Sequence, residues 1–348
     1  LSSTMIPVSL NTYSIGLIEQ YSYPAEEHNV TTEDGYQLKL HRIPNSPRSE
    51  STQKKKVVFI QHGAAASSDT WVLEGPDRDL PFILADLGYD VWLGNLRGNT
   101  YCRSHVNLST SDPHFWQFSF HEHGIYDLAS MVDYVLNYTQ NEKLYYIGHS
   151  MGSTISYVLL SMKPEYNVKF KLVVNLSPIA FWKHGVSPPI RDYMYTKQLL
   201  KIIIQKRYLK LIEINEVGVF RHNCQNHIFG IKCYLFLSYY PAGVSVKMLQ
   251  HYVQNIVTGD FQLFDYGFPI NYYLYKQRTS PTYNLKRITA PFVIFYGKND
   301  GFLNVPVSFV ILLDILTLVT LFTHFDFILG KDRKTLVYNR LIKLMEQF

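Results

Sequence analysis

Ser150 stands in the pentapeptide Gly148-His149-Ser150-Met151-Gly152, whose residue types and spacing are those of an activated serine. An apolar run at residues 144–147 precedes the pentapeptide, and a segment with helical spacing of apolar residues follows it. A serine on a tight turn from strand to helix needs glycines beside it, because side chains there would collide with neighbouring backbone. The pattern therefore predicts that Ser150 is a nucleophile rather than a structural serine.

The acid that such a serine requires is predicted at Asp300. A serine hydroxyl is a weak nucleophile that needs a base, and the base needs a carboxylate to orient it. After a turn of this kind, the acid and then the histidine follow the serine in chain order. Asp300 lies in the loop after the apolar run 292–296, although Asp-Gly also marks ordinary turns. Two other carboxylates compete with it, since Asp314 lies in an apolar helix-like run and Asp326 stands very close to the candidate base.

That base is predicted at His324. The chain has 13 histidines, and His324 is the only one after His251. It follows an apolar stretch near the carboxyl terminus, which is the place that the chain order Ser, Asp, His requires. The alternative is a structural histidine with satisfied hydrogen bonds.

Acyl transfer through a tetrahedral intermediate also requires two backbone N–H donors for the oxyanion. One is predicted at Met151, directly after the nucleophile, and the other at Ala64, in the loop after the first core strand. Two neighbouring histidines are expected to be structural. His62 would hold the oxyanion loop, and His149 would pack within the turn around Ser150.

Short apolar runs alternate with longer amphipathic stretches along most of the chain, which predicts an α/β fold with a mostly parallel sheet flanked by helices. The predicted strands are residues 57–60, 90–93, 144–147, 172–176 and 292–296, and the predicted helices are residues 80–87, 125–138 and 150–162. A hairpin turn is predicted at residues 33–36. The alternation stops between residues 179 and 289, which indicates an inserted helical cap. The predicted organisation is therefore core at 1–178, cap or lid at 179–289 and core at 290–348.

Composition excludes several classes of protein. The net charge of +5 is spread over the chain, which argues against a nucleic-acid-binding surface. The apolar run at residues 309–322 is too short to span a bilayer and carries Asp314, so we interpret it as a buried helix followed by a strand. Residues 1–13 lack the basic start and apolar stretch of a signal peptide, and we interpret the chain as mature or truncated.

The three cysteines lack the spacing of metal ligands, so no metal is expected. Cys224 and Cys233 could close a small disulfide loop in an oxidising compartment, which would leave Cys102 unpaired. Glycosylation sequons at Asn29, Asn107 and Asn137 would be used in a secretory protein, whereas the sequon at Asn175 falls in a predicted buried strand.

Motifs along the chain resemble those of the acid lipase family, to which gastric lipase and lysosomal acid lipase belong, and most closely those of its insect members. The resemblance begins at about Tyr21 and covers almost the whole chain. The similar motifs are Tyr23-Pro24-Ala25-Glu26-Glu27-His28, Thr32-Glu33-Asp34-Gly35-Tyr36, Gln61-His62-Gly63, Arg97-Gly98-Asn99-Thr100, the pentapeptide around Ser150, Tyr240-Pro241-Ala242-Gly243, Phe264-Asp265-Tyr266-Gly267 and His324-Phe325-Asp326-Phe327.

This resemblance implies an α/β-hydrolase fold with a movable helical lid and cofactor-free hydrolysis of triglycerides, cholesteryl esters or related acyl esters. It also implies a disulfide between Cys224 and Cys233. The expected partner is a lipid ester at an interface, and we expect a secreted or lysosomal monomer that binds no nucleic acid and has no transmembrane segment.

Two alternatives remain open at the level of the sequence. The first is a different ester substrate, such as short-chain or insect-specific lipids. The second is a protein that binds lipid without turnover, because the segment between Asp300 and His324 looks shorter and more apolar than in the family. In it, Leu303-Asn304-Val305-Pro306 replaces the Leu-Ala-Asp-Pro of relatives, and such a change could misplace the base.

Overall fold

The computed structural model describes residues 13–49, 54–180, 182, 232–302, 315–319 and 322–348. Within these ranges nine strands form one sheet. The strands are β1 Glu26–Thr31, β2 Tyr36–Ile43, β3 Val57–Gln61, β4 Asp90–Gly94, β5 Ser104–His105, β6 Leu144–His149, β7 Phe170–Leu176, β8 Phe292–Gly297 and β9 Ile315–Val319. All five strands predicted from apolar runs are present, so the prediction of their positions is confirmed.

The sheet is mostly parallel. Its order is β1-β2-β4-β3-β6-β7-β8-β9, with β5 paired to β2. The pairs from β4 through β3, β6, β7 and β8 to β9 are all parallel, whereas β2 pairs antiparallel with β1, β4 and β5. The hairpin between β1 and β2 is confirmed, and Gly35 takes a φ of 93° in its turn, a value that favours glycine.

Helices follow most of the parallel strands, as the alternation of the sequence predicts. In the described ranges they are α1 Ser14–Glu19, α2 Leu80–Asp86, α3 Phe120–Glu122, α4 Ala129–Thr139, α5 Met151–Met162, α6 Lys232–Tyr239, α7 Val246–Thr258, α8 Ile270–Tyr275, α9 Asp326–Leu329 and α10 Asn339–Met345. The predicted helix at 125–138 is α4 together with a π-helical turn at His123–Leu128.

Both faces of the sheet are buried, which explains why its strands are continuous apolar runs. Neighbouring residues of one strand belong to two different apolar clusters: Phe59 and Tyr146 pack on one face, and Ile60 and Ile147 on the other. Parallel sheets covered by helices on both sides have this pattern, whereas a sheet with one solvated face alternates apolar and polar residues. The predicted mostly parallel sheet flanked by helices is confirmed.

Part of the predicted cap is described. It contains α6, α7 and α8, and its one isolated β-bridge in the described ranges joins Gln262 to Thr282. Cys224 and the side chain of Cys233 lie outside the described residues, so their disulfide stays a prediction, as do the domain boundaries. Cys102 is buried and forms no disulfide.

The apolar run at residues 309–322 contains β9, so its predicted strand is confirmed, while its predicted helix falls outside the described residues. No helix in the part of the chain that the structure describes combines the length and hydropathy that crossing a membrane would need.

Candidate active site

The carboxyl ends of four adjacent parallel strands bring together side chains that are far apart in sequence. Ser150 follows β6, Ser177 follows β7, and Asp300 and His324 stand in the loops after β8 and β9. In open α/β sheets the functional groups lie at this edge, because the loops that follow parallel strands are all on the same side of the sheet. The sheet therefore assembles a site from residues separated by as many as 174 positions.

Ser150, His324 and Asp300 form a continuous hydrogen-bonded chain. Ser150 Oγ lies 2.8 Å from His324 Nε2, and His324 Nδ1 lies 2.9 Å from Asp300 Oδ2. All three residues are buried, with at most 6% of their surface exposed. Because Nδ1 faces a carboxylate it carries the proton, which leaves a lone pair on Nε2 to accept the serine proton. The geometry is that of a nucleophile, its base and the acid that orients the base.

The turn at Ser150 explains the two glycines of the pentapeptide. Ser150 takes φ 55° and ψ −116°, a strained conformation for a residue other than glycine. A Cβ on Gly148 would lie 2.6 Å from the backbone carbon of Gly152, and a Cβ on Gly152 would lie 2.6 Å from the carbonyl oxygen of Gln61. Side chains at either position would push the serine turn away from the strand end that holds it.

Hydrogen bonds hold the carboxyl of Asp300 in its ionised form. Burial alone raises its pKa, but the charge and hydrogen bond of His324, the hydroxyl of Ser177 and the N–H of Phe302 together bring the pKa below its ordinary value. The Phe302 N–H donates to Oδ1 at 2.9 Å and leaves Oδ2 for the imidazole. Asp326, the competing acid, instead accepts hydrogen bonds from the backbone N–H and hydroxyl of Thr323. Asp314 lies outside the described residues.

Ser177 is a member of the site that the sequence reasoning missed. Its hydroxyl donates to Asp300 Oδ2, and its Oγ lies 3.1 Å from His324 Nδ1. Ser177 is fully buried and has a φ of 51°, so the backbone is held in the left-handed region at the point where this hydroxyl meets the pair. A polar residue directly after the predicted strand 172–176 was the available signal, since Ser150 also stands directly after its strand, β6.

We expect Ser177→Ala to lower kcat by about 10-fold to 100-fold, the cost of removing one hydrogen bond to a charged group. The loss should fall on kcat rather than KM, because Ser177 contacts the histidine and the carboxylate and lies behind the ring. Steady-state kinetics on a soluble ester measure both constants. An unchanged kcat would show that the contact contributes nothing to the site.

Two further buried histidines support the site without joining the hydrogen-bonded chain. His149 donates from Nε2 to the backbone carbonyl of His324 at 2.9 Å and so ties the serine turn to the histidine loop. His62 Nδ1 bonds the carbonyl of Gly63 at 2.8 Å, and its Nε2 faces the N–H of Leu96. Burial lowers the pKa of His62 to about 4, and burial with the nearby His324 lowers that of His149 to about 3. Both rings are neutral in mild acid, which suits the structural role predicted for them.

These depressed pKa values predict that the protein loses stability in acid. A histidine in the unfolded chain titrates near 6.5. Below that pH the unfolded state therefore binds protons that the buried His62 and His149 of the folded state do not bind. Between pH 7 and about pH 4.5 we expect each ring to remove about 2 kcal/mol from the free energy of unfolding. Urea unfolding at constant ionic strength across this range measures the loss. A flat profile would contradict the burial of neutral rings.

Met151 follows the nucleophile directly, and Ala64 stands in the loop that contacts the serine turn through Gly63. In the described part of the chain, neither the N–H of Ala64 nor that of Met151 donates to another backbone group. The Cβ of Ser150 would lie 3.0 Å from a Cβ built on Gly63, so the oxyanion loop and the serine turn are in close contact. The next residue, Ala65, accepts a hydrogen bond from the N–H of Ala242 at 2.6 Å, which fixes the loop against the cap segment. The assignment of Ala64 and Met151 stays a prediction.

The remaining predicted site residues lie away from this edge. Asn29, Asn107 and Asn137 are exposed, as glycosylation requires, and Asn175 is buried in β7. No group of acidic, histidine or cysteine side chains among the described residues is arranged to hold a metal ion.

Comparison with known proteins identifies the family. Residues 15–75 match the model of a partial alpha/beta-hydrolase lipase region, and residues 56–305 match that of the alpha/beta hydrolase fold. The chain is 35% identical to the lysosomal acid lipase/cholesteryl ester hydrolase of Homo sapiens, over 95% of this chain and 90% of that protein. It is 36% identical to Lipase 3 of Drosophila melanogaster, over 95% and 92% of the two chains.

Similarity extends to other lipases. The gastric triacylglycerol lipase of Rattus norvegicus is 34% identical over 95% of this chain and 91% of its own length. Among solved structures, a putative lipase from Acinetobacter baumannii AYE superposes with a TM-score of 0.58 at 18% identity and covers 99% of both chains, which shows a shared fold. The expectation drawn from the sequence motifs is confirmed: the chain belongs to the lipase family of the α/β-hydrolase fold that includes gastric lipase and lysosomal acid lipase.

Proposed function

We propose that this protein is a serine hydrolase that cleaves acyl esters of neutral lipids, namely triglycerides and cholesteryl esters. The observation that carries the proposal is the chain from Ser150 Oγ through His324 to Asp300, with contacts of 2.8 and 2.9 Å. The relatives named as triacylglycerol lipase and cholesteryl ester hydrolase support this class of substrate.

The geometry supports an acyl-enzyme mechanism. Ser150 Oγ attacks the ester carbonyl while His324 Nε2 takes its proton, and the Asp300 carboxylate stabilises the imidazolium that forms. The N–H groups of Ala64 and Met151 bind the oxyanion of the tetrahedral intermediate. His324 then gives its proton to the departing alcohol, and a water molecule releases the fatty acid from Ser150 by the same route in reverse.

Secretion or delivery to the lysosome fits this proposal. The similar proteins include a gastric and a lysosomal lipase, and the exposed sequons at Asn29, Asn107 and Asn137 would be glycosylated on the secretory route. We propose that the protein acts as a monomer on lipid at an interface.

The alternative of a protein that holds lipid without turnover requires a base that is out of reach of the nucleophile. The contact of 2.8 Å between Ser150 and His324 argues against it. A fluorophosphonate separates the two functions, because it reacts covalently only with a serine that the neighbouring imidazole activates. We expect stoichiometric labelling at Ser150, and saturable lipid binding without labelling would favour the alternative.

Hydrolysis assays with emulsified triolein and cholesteryl oleate, from acid to neutral pH, test the substrate class directly. A series of esters of increasing acyl length, assayed in parallel, tests the alternative hypothesis that short-chain or insect-specific lipids are the substrates. We expect turnover of triolein. Turnover restricted to short soluble esters would contradict the lipid assignment while leaving the serine hydrolase intact.

A further inference from the structure

The α8 surface of the cap exposes an unusual set of apolar side chains. Phe268, Ile270, Tyr272, Tyr273 and Leu274 have exposed fractions of 65%, 49%, 59%, 76% and 48%. They fall within seven consecutive positions, so the exposed apolar side chains are concentrated in one short segment. Exposed apolar residues that occur singly need no explanation, but a contiguous group marks a surface that binds something.

This surface is held in place rather than loose. The buried Asn271 donates from Nδ2 to Asp265 Oδ1 and to the carbonyl of Arg278, and its Oδ1 accepts from the N–H of Tyr266 at 3.0 Å. Tyr275 donates its hydroxyl to the carbonyl of Phe264 at 2.9 Å. Two side chains of α8 thus anchor the helix, and the others are presented to solvent.

Two cations lie directly beside the exposed rings. The guanidinium of Arg278 lies 5.3 Å from the ring centre of Phe268, and the ammonium of Lys276 lies 5.5 Å from that of Tyr273. Both are exposed, and neither forms an ion pair with an acidic side chain in the described ranges. The stretch 259–289 holds four basic residues against two acidic ones, so this part of the chain carries a net positive charge.

Rings with a polar tip, flanked by lysine and arginine, match the chemistry of a lipid interface. Tyrosine places its ring at the level of the head groups, phenylalanine and leucine enter the apolar layer, and the cations stay with anionic head groups. A protein partner would also accept apolar side chains, but two cations beside the rings, without an acidic side chain as partner in the described ranges, favour a negatively charged lipid surface.

We propose that the α8 surface docks this protein onto lipid surfaces that carry negative charge. The proposal rests on the proposed function in one respect, since an enzyme for insoluble esters must work at a lipid surface.

The test measures vesicle binding separately from catalysis. The full chain carrying Ser150→Ala is sedimented with vesicles of phosphatidylcholine alone or with about 30% phosphatidylserine. We expect tighter binding to the anionic vesicles and weakening by salt. Tyr272→Ser with Tyr273→Ser, and separately Lys276→Gln with Arg278→Gln, should each weaken binding by about tenfold or more.

A matched control changes an exposed apolar residue and a cation elsewhere, Leu336→Ser with Arg340→Gln near the carboxyl terminus. This control should bind vesicles like the parent. With Ser150 restored, all variants should hydrolyse a soluble short-chain ester at the parent rate, and this readout reports a folding defect independently of lipid binding. Should a double variant fail to fold, Tyr273→Ser alone serves, because that side chain is the most exposed of the set.

Three outcomes would overturn the proposal. Equal vesicle binding by the α8 variants and the control would show that the surface plays no part. Absence of vesicle binding by the parent, with conversion from dimer to monomer in the α8 variants, would make the patch an interface between two copies. Binding that ignores charge and salt would remove the role of the cations. Vesicle binding by a chain that hydrolyses no ester would leave the docking surface standing and refute the proposed function instead.

Discussion

Ser150→Ala is expected to reduce kcat for ester hydrolysis by about a millionfold, the loss typical of removing the nucleophile from a triad. The methyl group keeps the fold but leaves His324 Nε2 with no hydroxyl to activate. Residual rate would come from the oxyanion donors and from substrate binding. Turnover of a soluble ester and labelling by a fluorophosphonate measure the loss, and both should disappear together.

Ser161→Ala is the matched control for this variant. Ser161 lies on α5, the helix that begins directly after Ser150. It is also buried, and its hydroxyl donates to the carbonyl of Val158 at 3.2 Å. Activity within about twofold of the parent is expected, since a rise of 1.5 Å per residue puts it far along α5 from His324. Retained hydrolysis and labelling in Ser150→Ala would refute the assignment of the nucleophile.

Asp300→Asn should reduce kcat by about 10⁴-fold. An asparagine in the same place can turn its amide nitrogen toward Nδ1 of His324, which selects the tautomer with the proton on Nε2. The lone pair that should accept the proton of Ser150 is then lost. Because the pKa of the Asp300 carboxyl is held below its ordinary value, activity of the parent should not fall through protonation of this acid until well below neutral pH.

Asp326→Asn distinguishes the role of Asp326 from that of Asp300, the other acid close to His324. Asp326 contacts Thr323 and not the imidazole, so its loss should lower kcat by about tenfold at most, through the loop rather than through the tautomer. The kinetics of both variants on one soluble ester measure the difference. Equal losses would mean that Asp300 is not the acid that orients the ring.

The sequence predicted the positions of Ser150, Asp300 and His324 because each follows from local chemistry and chain order. Glycines on both sides of a serine indicate a tight turn. An acid that follows a strand indicates a position at the carboxyl edge of the sheet. The same reasoning missed Ser177, since a serine before a proline resembles many loop residues. Only the pairing of β7 between β6 and β8 reveals that its hydroxyl meets the carboxylate.

The cap was predicted only in outline, for a physical reason. Strands of a buried parallel sheet are constrained on both faces and show as continuous apolar runs, whereas α8 has only six residues, too few for a helical period to show in the sequence. The sequence therefore does not distinguish Phe268 and Tyr273 from buried apolar residues. Their exposure becomes visible only when the anchoring of α8 through Asn271 is known.

The strand before the histidine loop is the last of the described sheet, with β8 as its neighbour. Residues gained or lost in the connection to a peripheral strand leave the register of the other strands intact. Homologous proteins can therefore have a shorter or longer connection between Asp300 and His324 and keep the same catalytic residues. Insertions and deletions should accumulate there during divergence.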